Sequence, residues 1–138
     1  MRHRKQRPTV LFAGLTYKED VDDLRESPAL HVAQAFQNNP TIDVLIAEPH
    51  VTPAVIRTKL RGGEIVSFAQ GIDRADIIVI LVGHTLFDQT LSVEQVTGKT
   101  VLDYCGLWYR KISENAMREW DSSASLKKLK SFSSEICK

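Results

Sequence analysis

The chain carries too little of several ingredients to belong to the classes they define. Of its 138 residues only two are cysteine, Cys105 and Cys137, which is too few for a disulfide framework or a four-ligand zinc site. Charge of one sign is also missing: 18 Lys and Arg stand against 17 Asp and Glu, so a net +1 gives no field to hold a nucleic-acid backbone or an anionic membrane. No apolar run is long enough to cross a bilayer, because Ala75 to Gly83, the longest, is broken by Asp76. Met1 to Arg7 is basic but runs into a short strand-like segment, so no secretory leader is expected. What is present is ordinary for a globular chain, 43% hydrophobic and 25% charged, and 138 residues suit one core. A reduced, cytoplasmic domain is expected.

Apolar runs alternate with amphipathic ones. Thr9 to Gly14 reads as a first strand, Asp43 to Glu48 as a second and Glu64 to Phe68 as a third. Ile77 to Val82 is apolar on both faces, as in a central parallel strand, and Thr100 to Tyr104 is the last. Ser27-Pro28 and Thr52-Pro53 each pair a capping hydroxyl with proline at the first helical position. The first helix buries Ala29, Val32, Ala33 and Phe36, and the second Val55, Ile56 and Leu60. Shorter helices are expected at Ala69 to Arg74 and Ser92 to Val96, and a terminal one at Ser113 to Trp120. The pattern predicts a three-layer, Rossmann-like α/β fold, five to six parallel strands with helices on both faces. Residues 1–7 form a basic extension, 8–110 the α/β domain, and 111–138 a helix with a Ser/Lys-rich tail.

Ligands of open parallel sheets bind beyond the carboxyl ends of the strands. There, Leu15 to Glu26 makes a loop much longer than the roughly 2–6 residues usual for such connections. It carries Lys18, Glu19, Asp20, Asp22, Asp23, Arg25 and Glu26. Gly14 stands alone, so neither a dinucleotide fingerprint nor a P-loop is present. Lys18 and Arg25 either serve an anion or merely neutralise their acidic neighbours; the residues alone leave both open. Asp20, Asp22 and Asp23 lack the glycine and late Glu of a calcium loop, so no metal is expected. His3 and His31 read as solvent-facing. His84, at the ligand edge, suits a binding role or a loop-ordering role equally. Cys105, just after the last strand, reads as a small buried hydrophobe. A phosphorelay receiver fails because Asp22 and Asp23 lie deep in a loop and no lysine ends the fifth strand.

The segment Gly14-Leu15-Thr16-Tyr17-Lys18-Glu19-Asp20-Val21-Asp22-Asp23-Leu24-Arg25-Glu26-Ser27-Pro28-Ala29-Leu30 resembles the opening of the C-terminal domain of UDP-sugar 6-dehydrogenases. The likeness continues at Glu48-Pro49, at Leu81 to Phe87 and at Asp103 to Trp108, and is nearest the UDP-N-acetylmannosamine dehydrogenase branch. The resemblance implies an enzyme in which an N-terminal domain binds NAD, a central helical segment supplies a catalytic cysteine, and this domain closes over the UDP-sugar. The C6 hydroxyl is then oxidised to a carboxylate in two hydride transfers. By the same resemblance Lys18 contacts substrate, Tyr17 lies beside the nucleotide, and Arg25 reaches the NAD held by the other domain. Asp20, Asp23, Glu26 and Ser27 would hold the two cations and cap the helix.

Two departures stand out. Cys105 sits where many relatives carry a basic residue. The NAD fingerprint and the catalytic-cysteine helix are also absent from the sequence, so the chain by itself is expected to bind UDP weakly or not at all, and not to turn over. The expected partners are a UDP-sugar and an NAD-binding domain on the same or another chain, with no nucleic acid, membrane or metal. The alternative is a non-catalytic module of the same fold that serves binding or assembly.

Overall fold

Hydroxyl side chains start the first three helices. In the computed structural model, which describes residues 7–119, Ser27 Oγ accepts from the Leu30 amide at 3.2 Å and opens α1 (Pro28–Phe36). Thr52 caps α2 (Pro53–Lys59) in the same way. Ser67 and Gln70 cap each other's backbone in a reciprocal box at α3 (Phe68–Arg74). Residues 1–6, with His3, and residues 120–138, with Trp120, Cys137 and the Ser/Lys-rich tail, lie outside the described residues.

The strands are β1 (Thr9–Ala13), β2 (Asp43–Ala47), β3 (Glu64–Ile65), β4 (Ile77–Ile80) and β5 (Thr100–Asp103). All pair in parallel, in the order β3-β2-β1-β4-β5. Side chains alternate along a strand, so one face of the sheet presents Val10, Phe12, Val44, Ile46 and Val79 to Leu30 and Ala33 of α1, Ile56 of α2 and Leu60 just beyond it. Leu11, on the other face, meets α3, where Gly71 lets the backbone approach its side chain. Phe68 of α3 packs on Phe87 of α4 (Thr85–Thr90) with ring centroids 4.3 Å apart. Helices therefore cover both faces, as the doubly apolar run of β4 predicts.

Several elements differ from expectation, each for a physical reason. The third strand stops at Ile65, because the Ser67–Gln70 box draws Phe68 into α3. The expected helix at Ser92 to Val96 is a single 3-10 turn, Glu94–Val96; the real helix is α4, whose first amide is capped by Asp20, distant in sequence. Val55 and Phe36 are exposed, while Leu30 joins Ala29 and Ala33 on the buried side of α1. Two compact units divide between Cys105 and Gly106. The second contains α5 (Leu107–Glu119), which starts ahead of the expected Ser113. No helix among the described residues is long and apolar enough to cross a membrane.

The end of β1 is the tightest point. Gly14 has φ +92°, and a Cβ there would lie 2.6 Å from Val82 Cβ and 2.9 Å from the Val82 backbone nitrogen. Gly14→Ala is expected to cost roughly 2–4 kcal/mol, the left-handed penalty plus overlap with backbone. Urea unfolding checks this: the midpoint falls at unchanged slope, and an unchanged midpoint would refute the close approach.

Candidate functional site

The order of strands reverses between β1 and β4, and the loop after β1 leaves the sheet at that switch point. Its anchor is Glu48, one residue past the end of β2, whose carboxylate is wholly shielded from solvent. Oε1 accepts from the Leu15 amide at 2.8 Å and faces His84 Nε2 at 2.9 Å, and Oε2 accepts from the His50 amide at 2.8 Å. Burial pushes the Glu48 carboxyl up, but the bonds from His84, Leu15 and His50 outweigh it and hold the group below its ordinary value. Ser27 ties the far end of the loop back, donating its hydroxyl to the Leu15 carbonyl at 2.7 Å while capping α1.

Between these anchors the loop folds on itself. The Tyr17 amide donates to the Asp23 carbonyl at 2.9 Å, and the Thr16 hydroxyl donates to the Lys18 carbonyl at 2.8 Å. Asp20 takes a left-handed conformation, φ 61°, and its carboxylate accepts the Thr85 amide at 2.8 Å and the Thr85 hydroxyl. Those two bonds hold the Asp20 carboxyl below its usual range. Asp20 thus caps α4 and does not pair with Lys18.

Asp23 grips Arg25, accepting from Nε and Nη2 at 3.0 Å each and from the Arg25 amide at 2.9 Å. The pair lowers the Asp23 carboxyl to about 2 and raises the guanidinium. Arg25 stays 87% exposed and keeps Nη1 uncommitted to Asp23. Tyr17, Asp23, Arg25 and Glu26 line a hollow of about 340 Å³. Glu26 has φ 52° and, among the described residues, no partner for its carboxylate, so it holds neither cation. Lys18 is exposed at the tip, and its ammonium has no ion-pair or hydrogen-bond partner among the described residues. A larger hollow, about 740 Å³, lies at the opposite, amino-terminal ends of the strands around Thr9, Asp43 and Glu64, away from this loop.

The comparisons with known proteins bear on this loop directly. Residues 11–110 match the family described as "UDP-glucose/GDP-mannose dehydrogenase family, UDP binding domain", a span that includes the whole loop and its anchors. The chain belongs to this family.

Among relatives, it is 35% identical over 108 residues to an NDP-N-acetyl-D-galactosaminuronic acid dehydrogenase of Ralstonia nicotianae, covering 78% of this chain and 25% of that one. It is 34% identical over 92 residues to a UDP-N-acetyl-D-mannosamine dehydrogenase of Campylobacter jejuni, covering 65% of this chain and 22% of that one. The chain therefore spans about a quarter of the length of the curated relatives it matches. A UDP-glucose dehydrogenase of Pyrobaculum islandicum shares the fold, with TM-score 0.60 at 22% identity over 71% of this chain and 22% of that one.

Within this UDP-binding domain, sequence reasoning missed Glu48 as a hub, and with it Thr16, His50 and Thr85. An acid that ends an apolar strand before a proline is the local signal that was there to read. His84 resolves to loop ordering: it is fully buried and bonded to Glu48, Thr16 and Asp20. Cys105 is a correction, since it is exposed in the turn after the edge strand β5, its amide and thiol both on Asp103 Oδ1. Asp20, His50 and His84 do bring ligand atoms within 4.8 Å of one another. Both ring nitrogens of His84 are already taken up by protein groups, the Asp20 amide and the Glu48 carboxylate. The family is one of NAD-dependent dehydrogenases, but the described residues do not fit a dinucleotide cradle: Gly14 is unaccompanied, and α1 begins only after the long loop.

Glu48→Gln would set an amide NH2 against N–H donors, at a cost of about 1–3 kcal/mol at neutral pH. A carboxyl held low stabilises the fold above its unfolded value, near 4.5, and loses that contribution as pH falls through its folded value. The stability gap between wild type and Glu48→Gln should therefore narrow in acid. A gap independent of pH in denaturant melts would show that Glu48 is not an ionised hub.

Proposed function

We propose that this chain supplies the UDP-sugar-binding wall of an NAD-dependent UDP-sugar 6-dehydrogenase of the UDP-N-acetylmannosamine type. The full enzyme would oxidise the C6 hydroxyl to a carboxylate. Lys18 binds the pyrophosphate or the developing carboxylate, Tyr17 lies beside the nucleotide, and Arg25 reaches toward NAD held by an N-terminal domain on the same or another chain. A pyrophosphate and a carboxylate both call for fixed cations. The observation that carries the reading is the Lys18 ammonium: it lacks a partner among the described residues, at the tip of a loop anchored at both ends beside the switch point of the sheet. The family match and the relatives' names support the same substrate class. A cytoplasmic setting belongs to this reading, supported by the exposed thiol of Cys105, which persists where thiols stay reduced.

A second reading, a non-catalytic binding or assembly module, draws on Cys105, an exposed neutral group just past β5 where the resemblance implies a cation. Supplying the NAD-binding portion of a relative separates the two. Reduction of NAD by the mixture with UDP-N-acetylmannosamine supports the enzyme reading, and silence supports the module.

UDP titrated into the chain alone, followed by amide NMR, tests the binding wall. With one wall present, affinity near millimolar, about 4 kcal/mol, is expected. Shifts should centre on Tyr17, Lys18 and Arg25, and Lys18→Ala should weaken binding about tenfold by removing a charge-assisted bond. Shifts confined to the amino-terminal ends of the strands, or none at all, would overturn the assignment.

A further inference from the structure

We propose that His84, neutral and carrying its proton on Nε2, is the positioning residue that fixes the Tyr17–Lys18–Glu19 tip. The proposal deepens the UDP-binding reading and rests on it. The imidazole is fully buried, so it touches no ligand itself and acts through the loop.

The donors decide the tautomer. The Asp20 backbone N–H lies 2.9 Å from Nδ1, and an amide can only donate, so Nδ1 presents its lone pair. The proton is then on Nε2, which faces Glu48 Oε1 at 2.9 Å and Thr16 Oγ1 at 3.3 Å. Thr16 donates its own hydroxyl proton to the Lys18 carbonyl at 2.8 Å, which leaves its oxygen as an acceptor toward the ring. One ring therefore governs both ends of the tip, residue 16 through Nε2 and residue 20 through Nδ1. A second proton on Nδ1 would set two N–H groups head to head across 2.9 Å.

The anionic neighbours by themselves would favour a second proton, so it is the Asp20 amide at Nδ1 that leaves the ring with one. The Glu48 carboxylate approaches from the end of β2, and Asp20 Oδ1 stands 3.9 Å from Nδ1 on the loop. That oxygen already accepts the Thr85 amide. His50, from the turn after β2, packs edge-on with ring centroids 4.6 Å apart, and Phe87 of α4 closes the far side at 5.1 Å. Asp20 holds its left-handed backbone where its amide bonds the ring and its carboxylate bonds Thr85.

The test uses the full 138-residue chain labelled with ¹⁵N. Long-range proton–nitrogen spectra at neutral pH should show the His84 proton on Nε2 and a bare Nδ1. Amide exchange of Asp20 should stay close to wild type in His84→Asn, whose side-chain oxygen sits near the place of Nδ1. In His84→Phe it should speed about tenfold, while β1 and β4 amides stay unchanged. UDP binding should follow the same order, lowered less in His84→Asn, which loses only the Nε2 end, than in His84→Phe, which loses both. A proton on Nδ1, or unchanged Asp20 exchange in His84→Phe, would overturn the proposal. If His84→Phe fails to fold, the tautomer of the unaltered chain and the His84→Asn exchange still decide it. Failure of the unaltered chain to bind UDP would count against the functional reading, leaving tautomer and exchange to judge the positioning role.

Discussion

Glu48 is the constraint on which the rest depends. A carboxylate removed from water carries a cost of several kcal/mol unless donors replace the lost hydration. Here the donors come from three separate stretches of chain: Leu15 after β1, His50 after β2 and His84 after β4. Those strands are the adjacent β2-β1-β4 core of the sheet, so one side chain rivets their carboxyl ends together. Only an ionised acid can accept from all three; an amide would turn hydrogens toward at least one of them.

From that rivet the site follows outward in layers. His84, Thr16 and Asp20 carry the rigidity from the buried carboxylate to the loop, and Ser27 closes its other end on α1. Rigidity below leaves the tip free to be polar above. Tyr17, Lys18 and Arg25 all stand in solvent, and on the proposed function a nucleotide's phosphates would meet them there without large rearrangement of the backbone. The Asp23–Arg25 pair, whose guanidinium stands in solvent, adds little stability but fixes the orientation of that group. The left-handed backbone at Glu26, a residue with no evident partner among those described, is strain of a kind that collects at binding rims.

Local rules made much of the fold legible. Serine or threonine before proline announced α1 and α2, and the doubly apolar run at Ile77 to Val82 announced a buried parallel strand. The charged loop after β1 was also plain, because its length and composition break the pattern on either side. What local reading could not reach were bonds between distant residues. Asp20 caps α4 from 65 positions away, so Thr85–Thr90 carries no cap of its own to read. Glu48 and His84, 36 positions apart, each look like an ordinary loop-edge residue until the sheet brings them together. Cys105 escaped for another reason: it follows an edge strand, where one side of the chain has no neighbour to bury it.

The central claim is that the Glu48 carboxylate is ionised in a dry site and holds three strand ends by accepted hydrogen bonds. Its side-chain ¹³C signal followed against pH in the intact chain tests this most directly. The account predicts a midpoint below the ordinary 4.5, with the Leu15 and His50 amide signals moving in step. A midpoint above that value, or amides indifferent to the titration, would contradict it.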